Sequence, residues 1–370
     1  GLIRYGPSPR ARRLLQDIER DYRLREISAW PIEALHMHCA VLQIPEGADR
    51  DALLASLAND PRVRLAQPLQ TFETRTEGYN DPYFGLQRGF SQMHLPDAHS
   101  LSRGEGVRVA VVDTGADLLH PDLKGRITRV INVVDTDERQ FMRDRHGTEV
   151  AGVIAATANN HEGIVGVAPH AQLMLIKACW QLAADADPAR CNTFTLAQGI
   201  VAALDAGANV VNLSLAGPAD PLLHSLIAAG LRRGVLFVGA APGSGPREGF
   251  MRETGVLEVD SAASPLAGDG RLYAPGSEVL TLMPGGRYDF ASGSSIATAQ
   301  VTGIVALMLA RHPGLDSATV QRLLQRTSVR LASQDGKAGG APMVDACAAL
   351  SAISGGGDCG HPPERIAGAH

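Results

Sequence analysis

Residues 109–115 read Val109-Ala110-Val111-Val112-Asp113-Thr114-Gly115: four apolar residues in a row, a carboxylate, then a turn. An unbroken, mostly β-branched run is the signature of a strand buried on both faces, as in a parallel sheet covered by helices. Three more such runs follow at 173–178, 210–215 and 235–240, with helical patterning at 195–206 and 221–232 between them. This alternation predicts a doubly wound α/β domain whose reactive side chains sit at the carboxyl ends of its strands. Asp113 occupies such an end.

Two other segments carry chemistry. His146-Gly147-Thr148-Glu149-Val150-Ala151-Gly152 puts an imidazole at the first turn of a helix of small residues. Gly293-Ser294-Ser295-Ile296-Ala297 puts a hydroxyl at the start of a long apolar helix. A serine hydroxyl is a weak nucleophile until a histidine takes its proton, and an aspartate fixes the histidine tautomer and stabilises the imidazolium. A helix N-terminus adds a positive dipole end and a free N–H at Ser295, both suited to a developing oxyanion. Taken singly, the three segments have ordinary readings as a turn, a helix cap and a loop. Their joint occurrence in the order Asp, His, Ser with these flanks is far more specific. An aspartic protease would need an all-β chain and a second Asp-Thr-Gly, and neither is present.

On these residues the chain resembles the subtilases, the subtilisin/thermitase-like serine proteases, from about residue 80 to 350. The Asp…His…Ser order is the known subtilisin order. His120-Pro121-Asp122-Leu123, 163–169, 212–217 and 292–303 carry further parts of the likeness. The resemblance implies Ser295 as nucleophile, His146 as general base and then acid, and Asp113 as its orienter. It implies Ser214, Leu215, Ala216 and Gly217 as the strand that pairs with an extended substrate backbone. Asn80-Asp81-Pro82-Tyr83-Phe84 resembles the thermitase-type N-terminal segment, and Asp81, Asp122 and Asn160 match ligands of a structural calcium ion. Six or more oxygens are what calcium takes; the other reading makes Asp81 a turn residue and Asp122 a helix cap. No cofactor is implied for the chemistry itself.

The chain departs from the family at three places. Glu149 stands where a second histidine is expected. The residues after the nucleophile, Ile296-Ala297-Thr298-Ala299, lack the usual proline. Pro242 stands where the oxyanion-hole asparagine is expected, and proline offers neither a side-chain amide nor an N–H. One oxyanion donor, the Ser295 N–H, is left.

In front of this domain, residues 1–78 read as a small α+β unit: a helix at 9–22, a strand at 35–44, a helix from 48 to 57 and a strand at 63–69, then an exposed polar linker at 72–80. It resembles the subtilase propeptide, an intramolecular chaperone and inhibitor; an unrelated accessory domain is the alternative. The predicted organisation is thus 1–78, a catalytic domain at 79–352 and a tail at 353–370.

The chain's 370 residues suit two or three domains. A formal charge of −5 gives no broad basic face, so the expected partners are peptide or protein substrates and the chain's own propeptide, not nucleic acid. The apolar stretch 296–310 is shorter than the ~20 residues of a membrane span and reads as a buried core helix. None of the five cysteines forms a C-x-x-C pair. Cys179 with Cys191, and Cys347 with Cys359, suggest two short-range disulfides beside an odd Cys39, and hence a secreted or periplasmic protein. Five reduced thiols in a cytosolic protein are the alternative. Two functions stay open: a propeptide-inhibited serine endopeptidase, and a subtilase-fold pseudoprotease acting as a binding or scaffold protein. A nucleotide-binding domain is excluded because no Gly-rich phosphate loop follows Val112.

Overall fold

The computed structural model describes residues 9–45, 47–69, 78–181, 189–241, 249–251, 255–263, 270–330 and 342–354. The chain divides into two compact units, Gly1–Thr76 and Glu77–His370.

The N-terminal unit contains helix α1 (Pro9–Tyr22), strands β1 (Arg25–Ile32) and β2 (Met37–Gln43), and helix α2 (Arg50–Ala58). β1 and β2 pair antiparallel. Ile18, Leu24 and Leu57 form its small core. Asp49 caps α2 by accepting from the N–H groups of Asp51 and Ala52. One expectation fails here. Residues 63–69 form no strand, and Leu65 and Leu69 are exposed. The partner of β2 is instead β1, whose apolar residues Ile27, Ala29, Trp30 and Ile32 keep no strict alternation and which carries Pro31, so it reads poorly as a strand because proline cannot donate to a ladder.

The second unit holds the remaining elements. Helices α3 (Arg88–Gln92) and α4 (Leu95–Leu101) lead into β3 (Arg108–Asp113), β4 (Ile127–Asn132), α5 (Glu138–Arg143) and α6 (Arg145–Ala155). β5 (Gln172–Lys177), the short pair β6 (Cys179–Gln181) and β7 (Ala189–Cys191), and α7 (Thr193–Asp205) follow. Next come β8 (Val210–Leu213), α8 (Pro221–Arg232), β9 (Leu236–Ala240), β10 (Leu257–Ser261) and β11 (Leu272–Ala274). The hairpin β12 (Val279–Met283) and β13 (Arg287–Ala291) precedes α9 (Ser294–Arg311). α10 (Ser317–Thr327), β14 (Val329–Arg330), β15 (Pro342–Met343) and α11 (Ala346–Ser354) complete the unit.

Nine strands join in the order β14-β15-β11-β10-β9-β8-β3-β5-β4. Every neighbouring pair in that order from β15 to β4 is parallel, and β14 pairs antiparallel with β15 at one edge. The apolar runs read from the sequence are the centre of this sheet, with β3 flanked by β5 and β8. Two cores cover its faces. One gathers α6 and α9 against Val109, Val111, Leu173 and Val210; the other gathers α7 and α8 against Ala110, Val112, Ile176 and Phe237. α9 is buried from Ile296 to Leu309. It is the one helix, among the described residues, long and apolar enough to cross a membrane, and its burial marks it as the core helix expected.

The expected linker ends earlier than position 80. Tyr79 packs its ring on Phe84, Phe90 and His99, and the Asn80 N–H donates to Asn159 Oδ1 at 3.1 Å. Residues 72–77 of that stretch lie outside the described residues.

His99 on α4 is buried between the two ends of this contact. Its Nε2 lies 2.8 Å from the Val167 carbonyl, which can only accept, so Nε2 carries the proton and Nδ1 accepts from the Tyr79 hydroxyl at 2.5 Å. Burial pushes its pKa down to about 4. The unfolded chain, with an ordinary histidine pKa of ~6.5, therefore binds the extra proton between those values. Stability from this group is present above pH ~6.5 and is lost as the pH falls toward 4, by about 3 kcal/mol in full. We expect His99→Gln to melt well below wild type at pH 7.5 and the gap to shrink by pH 4.5. A gap that does not vary with pH, measured by thermal denaturation, would contradict this assignment.

Candidate active site

The sheet order puts the ends of β3, β5 and β8 together, and the site is built on those ends. Asp113 is the last residue of β3 and is buried. Its Oδ1 accepts from His146 Nδ1 at 2.7 Å and from the Thr114 N–H at 2.6 Å. A carboxylate can only accept, so His146 carries its proton on Nδ1, which leaves Nε2 as the ring's lone-pair nitrogen. Asp113 Oδ2 is buried without a hydrogen-bond partner.

His146 is the second residue of α6, and two glycines fix its approach to Asp113. A Cβ on Gly147 would lie 2.4 Å from the Gly115 carbonyl oxygen, and one on Gly115 would lie 2.3 Å from the Phe141 oxygen. The two segments therefore touch backbone to backbone, with the Gly147 N–H donating to Thr114 Oγ1 at 2.9 Å. Behind them Asp144, fully buried at the N-terminus of α6, accepts from the Gly115 N–H at 2.9 Å and from Lys177 Nζ at 2.6 Å. Gln140 donates to its second oxygen at 3.0 Å. Sequence reasoning missed this pair. A lysine ending the apolar run of β5 was the available signal.

Ser295 is the second residue of α9. Gly293 precedes the helix with φ 143°, a conformation that favours glycine. Ser295 Oγ donates to the Ser214 carbonyl at 2.9 Å. A polar chain fastens this helix to β8: Thr302 Oγ1 donates to Asn212 Oδ1 (2.8 Å), Asn212 Nδ2 to Ser214 Oγ (2.9 Å), and Ser214 Oγ to the Ser295 carbonyl (3.0 Å). The first-turn N–H groups of α9 have no partner within the helix.

Asp113, His146 and Ser295 line one cleft of about 950 Å³, together with Ser214, Leu215, Ala216 and Gly217. Arg190, Cys191 and Asn192 of the β6–β7 hairpin region also line it, as do Leu223, Phe250 and Phe290. Cys179 and Cys191 are directly opposed across β6 and β7 and are joined by a disulfide. Cys39 is free. Cys347 is buried and disulfide-bonded; its expected partner, Cys359, lies outside the described residues. Pro242 also lies outside them. The preceding residue, Ala241, donates its N–H to the Val259 carbonyl at 2.7 Å at the end of β9. Glu149 is buried and accepts from Arg145 Nε at 2.6 Å, so an ion pair fills the position where a second histidine was expected.

Asp81, Asp122 and Asn160 meet at the loop 159–164. Asp81 Oδ2 accepts from the Asn159 N–H (2.8 Å), and Asp81 Oδ1 is buried with no partner. Asp122 accepts from Asn160 Nδ2 (2.8 Å) and the Ile164 N–H (2.9 Å). Burial pushes both carboxylates' pKa values up. The oxygen donors and the orphaned Asp81 oxygen fit a hard cation. The Asn160 amide fits less well, since it turns its NH₂ to Asp122 and its oxygen accepts from the Glu162 N–H. Among the described residues, no group of three or more His, Cys, Asp or Glu side chains stands ready to hold a metal.

Comparison with known proteins agrees with this architecture. Residues 104–250 and 261–346 match the Subtilase family. An intracellular serine protease of Paenibacillus polymyxa is 35% identical over 243 residues, spanning 60% of this chain and 72% of that protein. Thermitase of Thermoactinomyces vulgaris is 30% identical over 265 residues, spanning 68% and 92%. A solved protease structure from Pseudoalteromonas arctica superposes with a TM-score of 0.60 at 24% identity, covering 74% of this chain and 99% of that one. The N-terminal unit lies outside the family match. The family match runs through the strand ends that carry the cleft, and the chain belongs to the subtilase family.

Proposed function

We propose that this chain is a serine endopeptidase in which Ser295, His146 and Asp113 act together. The observation that carries the reading is the 2.7 Å contact of His146 Nδ1 with Asp113, in a cleft also lined by Ser295. Ser295 Oγ attacks the scissile carbonyl as His146 Nε2 takes its proton; the imidazolium, held by Asp113, then protonates the leaving amine. The substrate backbone lies along Ser214–Gly217, and the Ser295 N–H donates to the developing oxyanion. Residues 1–78 act as an inhibitory propeptide, released by cleavage in the stretch before Tyr79. The Cys179–Cys191 disulfide supports a secreted or periplasmic location.

We expect wild-type protein to label with a fluorophosphonate probe and to lose residues 1–78, whereas Ser295→Ala does neither and stays folded. Asp113→Asn should lower kcat on the order of 10⁴-fold. Labelling or self-cleavage that persists in Ser295→Ala would refute the nucleophile assignment.

The second reading, a pseudoprotease, is favoured by Pro242. Loss of the asparagine amide from the oxyanion hole of subtilisin is a known case that costs ~10²–10³ in kcat. Self-cleavage tolerates that loss because the scissile bond is held in place at high effective concentration. Turnover of free peptides should therefore be weak, and Pro242→Asn should raise kcat with little change in KM. A wild-type kcat typical of good subtilases would mean that another donor serves.

A structural calcium ion at Asp81 and Asp122 is part of the same proposal, supported by the orphaned, buried Asp81 oxygen. In Ser295→Ala protein freed of metal with EGTA, calcium at a hundred-fold excess over its Kd should raise Tm by about 5–10 °C. Asp81→Asn should abolish that increment. Equal Tm with and without calcium would remove the ion from the proposal.

A further inference from the structure

We propose that the buried Lys177–Asp144 pair is a positioning device for His146, setting both its place against Asp113 and its affinity for the proton. The proposal deepens the protease reading above and rests on it for the role of His146.

The argument begins with the sheet. Lys177 ends β5 and lies directly beside Asp113, the end of β3, in register. Nothing local calls for a charge there, since the four residues before Lys177 in β5 are all apolar and buried. Taking an ammonium and a carboxylate out of water is costly unless geometry and further hydrogen bonds compensate. Here they do: Lys177 is 1% and Asp144 0% exposed, and Asp144 accepts from Lys177, Gly115 and Gln140 together.

Those partners come from three separate segments: the end of β5, the turn after β3 and α5. Asp144 is the residue from which α6 starts, two positions before His146, and its carbonyl also accepts from Thr148 Oγ1 at 2.7 Å. Asp144 therefore ties the start of α6 to the same strand ends that present Asp113. A clamp that held only backbone could be apolar. A clamp made of two opposite charges beside an imidazole that gains a proton during reaction also sets its electrostatics: Asp144 favours the imidazolium and Lys177 disfavours it.

The other charges facing His146 are Asp113 on β3, Arg145 and Glu149 on its own helix, and Arg190 and Asp220 on the cleft lining. Arg145 pairs with Glu149, and Asp220 is engaged at the N-terminus of α8. Asp135 stands 3.9 Å from Lys177.

The test uses full-length Ser295→Ala protein with labelled histidines, so that self-digestion does not interfere and the result does not depend on turnover. The His146 ring is assigned by comparison with His146→Gln and titrated by NMR. Lys177→Met should raise the His146 midpoint and Asp144→Asn should lower it, each by roughly half a pH unit or more. The double variant should return near the parent. Lys177→Arg, which keeps the charge, should leave the midpoint in place. With Ser295 restored, the acid limb of kcat/KM should move in the same directions. A purely structural role predicts shifts of one sign, or none, in both single variants, and either result overturns the proposal. If a single variant does not fold, the double variant and Lys177→Arg decide: a midpoint displaced in either refutes it. Absence of any Ser295-dependent hydrolysis would sink the protease reading while leaving the opposed His146 shifts to stand or fall separately.

Discussion

The geometry of the cleft depends on a place where a side chain is forbidden. The Gly115 carbonyl occupies the space that a Cβ on residue 147 would need, so a strand end and a helix start meet with only backbone between them. That closeness brings an imidazole on α6 within 2.7 Å of a carboxylate on β3. Any residue larger than glycine would have to push α6 away from the sheet, and a shift on the order of 1 Å is enough to spoil a catalytic hydrogen bond. The Thr114 hydroxyl and the Asp144 carboxylate complete the joint by receiving the N–H groups of Gly147 and Gly115, donors that would otherwise be buried unsatisfied.

A second joint governs the opposite side of the cleft. Ser295 rides on a helix buried over most of its length, and the chain Thr302–Asn212–Ser214–Ser295 bolts that helix to β8. Ser295 and Ser214, the proposed nucleophile and the first residue of the proposed substrate-binding segment, thus share one hydrogen-bonded support. The departures from the family fit this frame. In the stretch where a proline is expected, Thr298 turns its hydroxyl back onto the Ser294 carbonyl at 2.7 Å, and α9 runs unbroken from Ser294 to Arg311. Glu149, where a histidine is expected, is neutralised by Arg145 on the next turn.

Much of this was legible in the sequence. Buried parallel strands announce themselves as apolar runs, and α8 spans Pro221–Arg232 as its helical patterning predicted, with Asp220 as its N-cap and Pro221 in its first turn. The cleft residues Asp113, His146 and Ser295 were found because each sits at an element's end with small neighbours. What escaped was tertiary. β1 was overlooked because it carries Pro31 and its apolar residues Ile27, Ala29, Trp30 and Ile32 keep no strict alternation, while 63–69 reads as a strand yet pairs with no strand among the described residues. Asn80 read as linker because its partner, Asn159, is 79 residues away. Lys177 and Asp144 are ordinary residues in one dimension and become a buried pair only when β5 lies beside β3.

The strand order carries a consequence for the making of the molecule. The cleft needs β3 flanked by β5 and by β8, and it needs α9, which begins more than 80 residues after β8, packed against all of them. Parallel pairing across such separations is slow, because the entropy of closing long loops is lost before the contacts repay it. No early, locally folded fragment can hold the three cleft residues together. Completion of the cleft is thus among the last steps of folding, and each nascent copy passes through its unfolded stage before Asp113, His146 and Ser295 share one site.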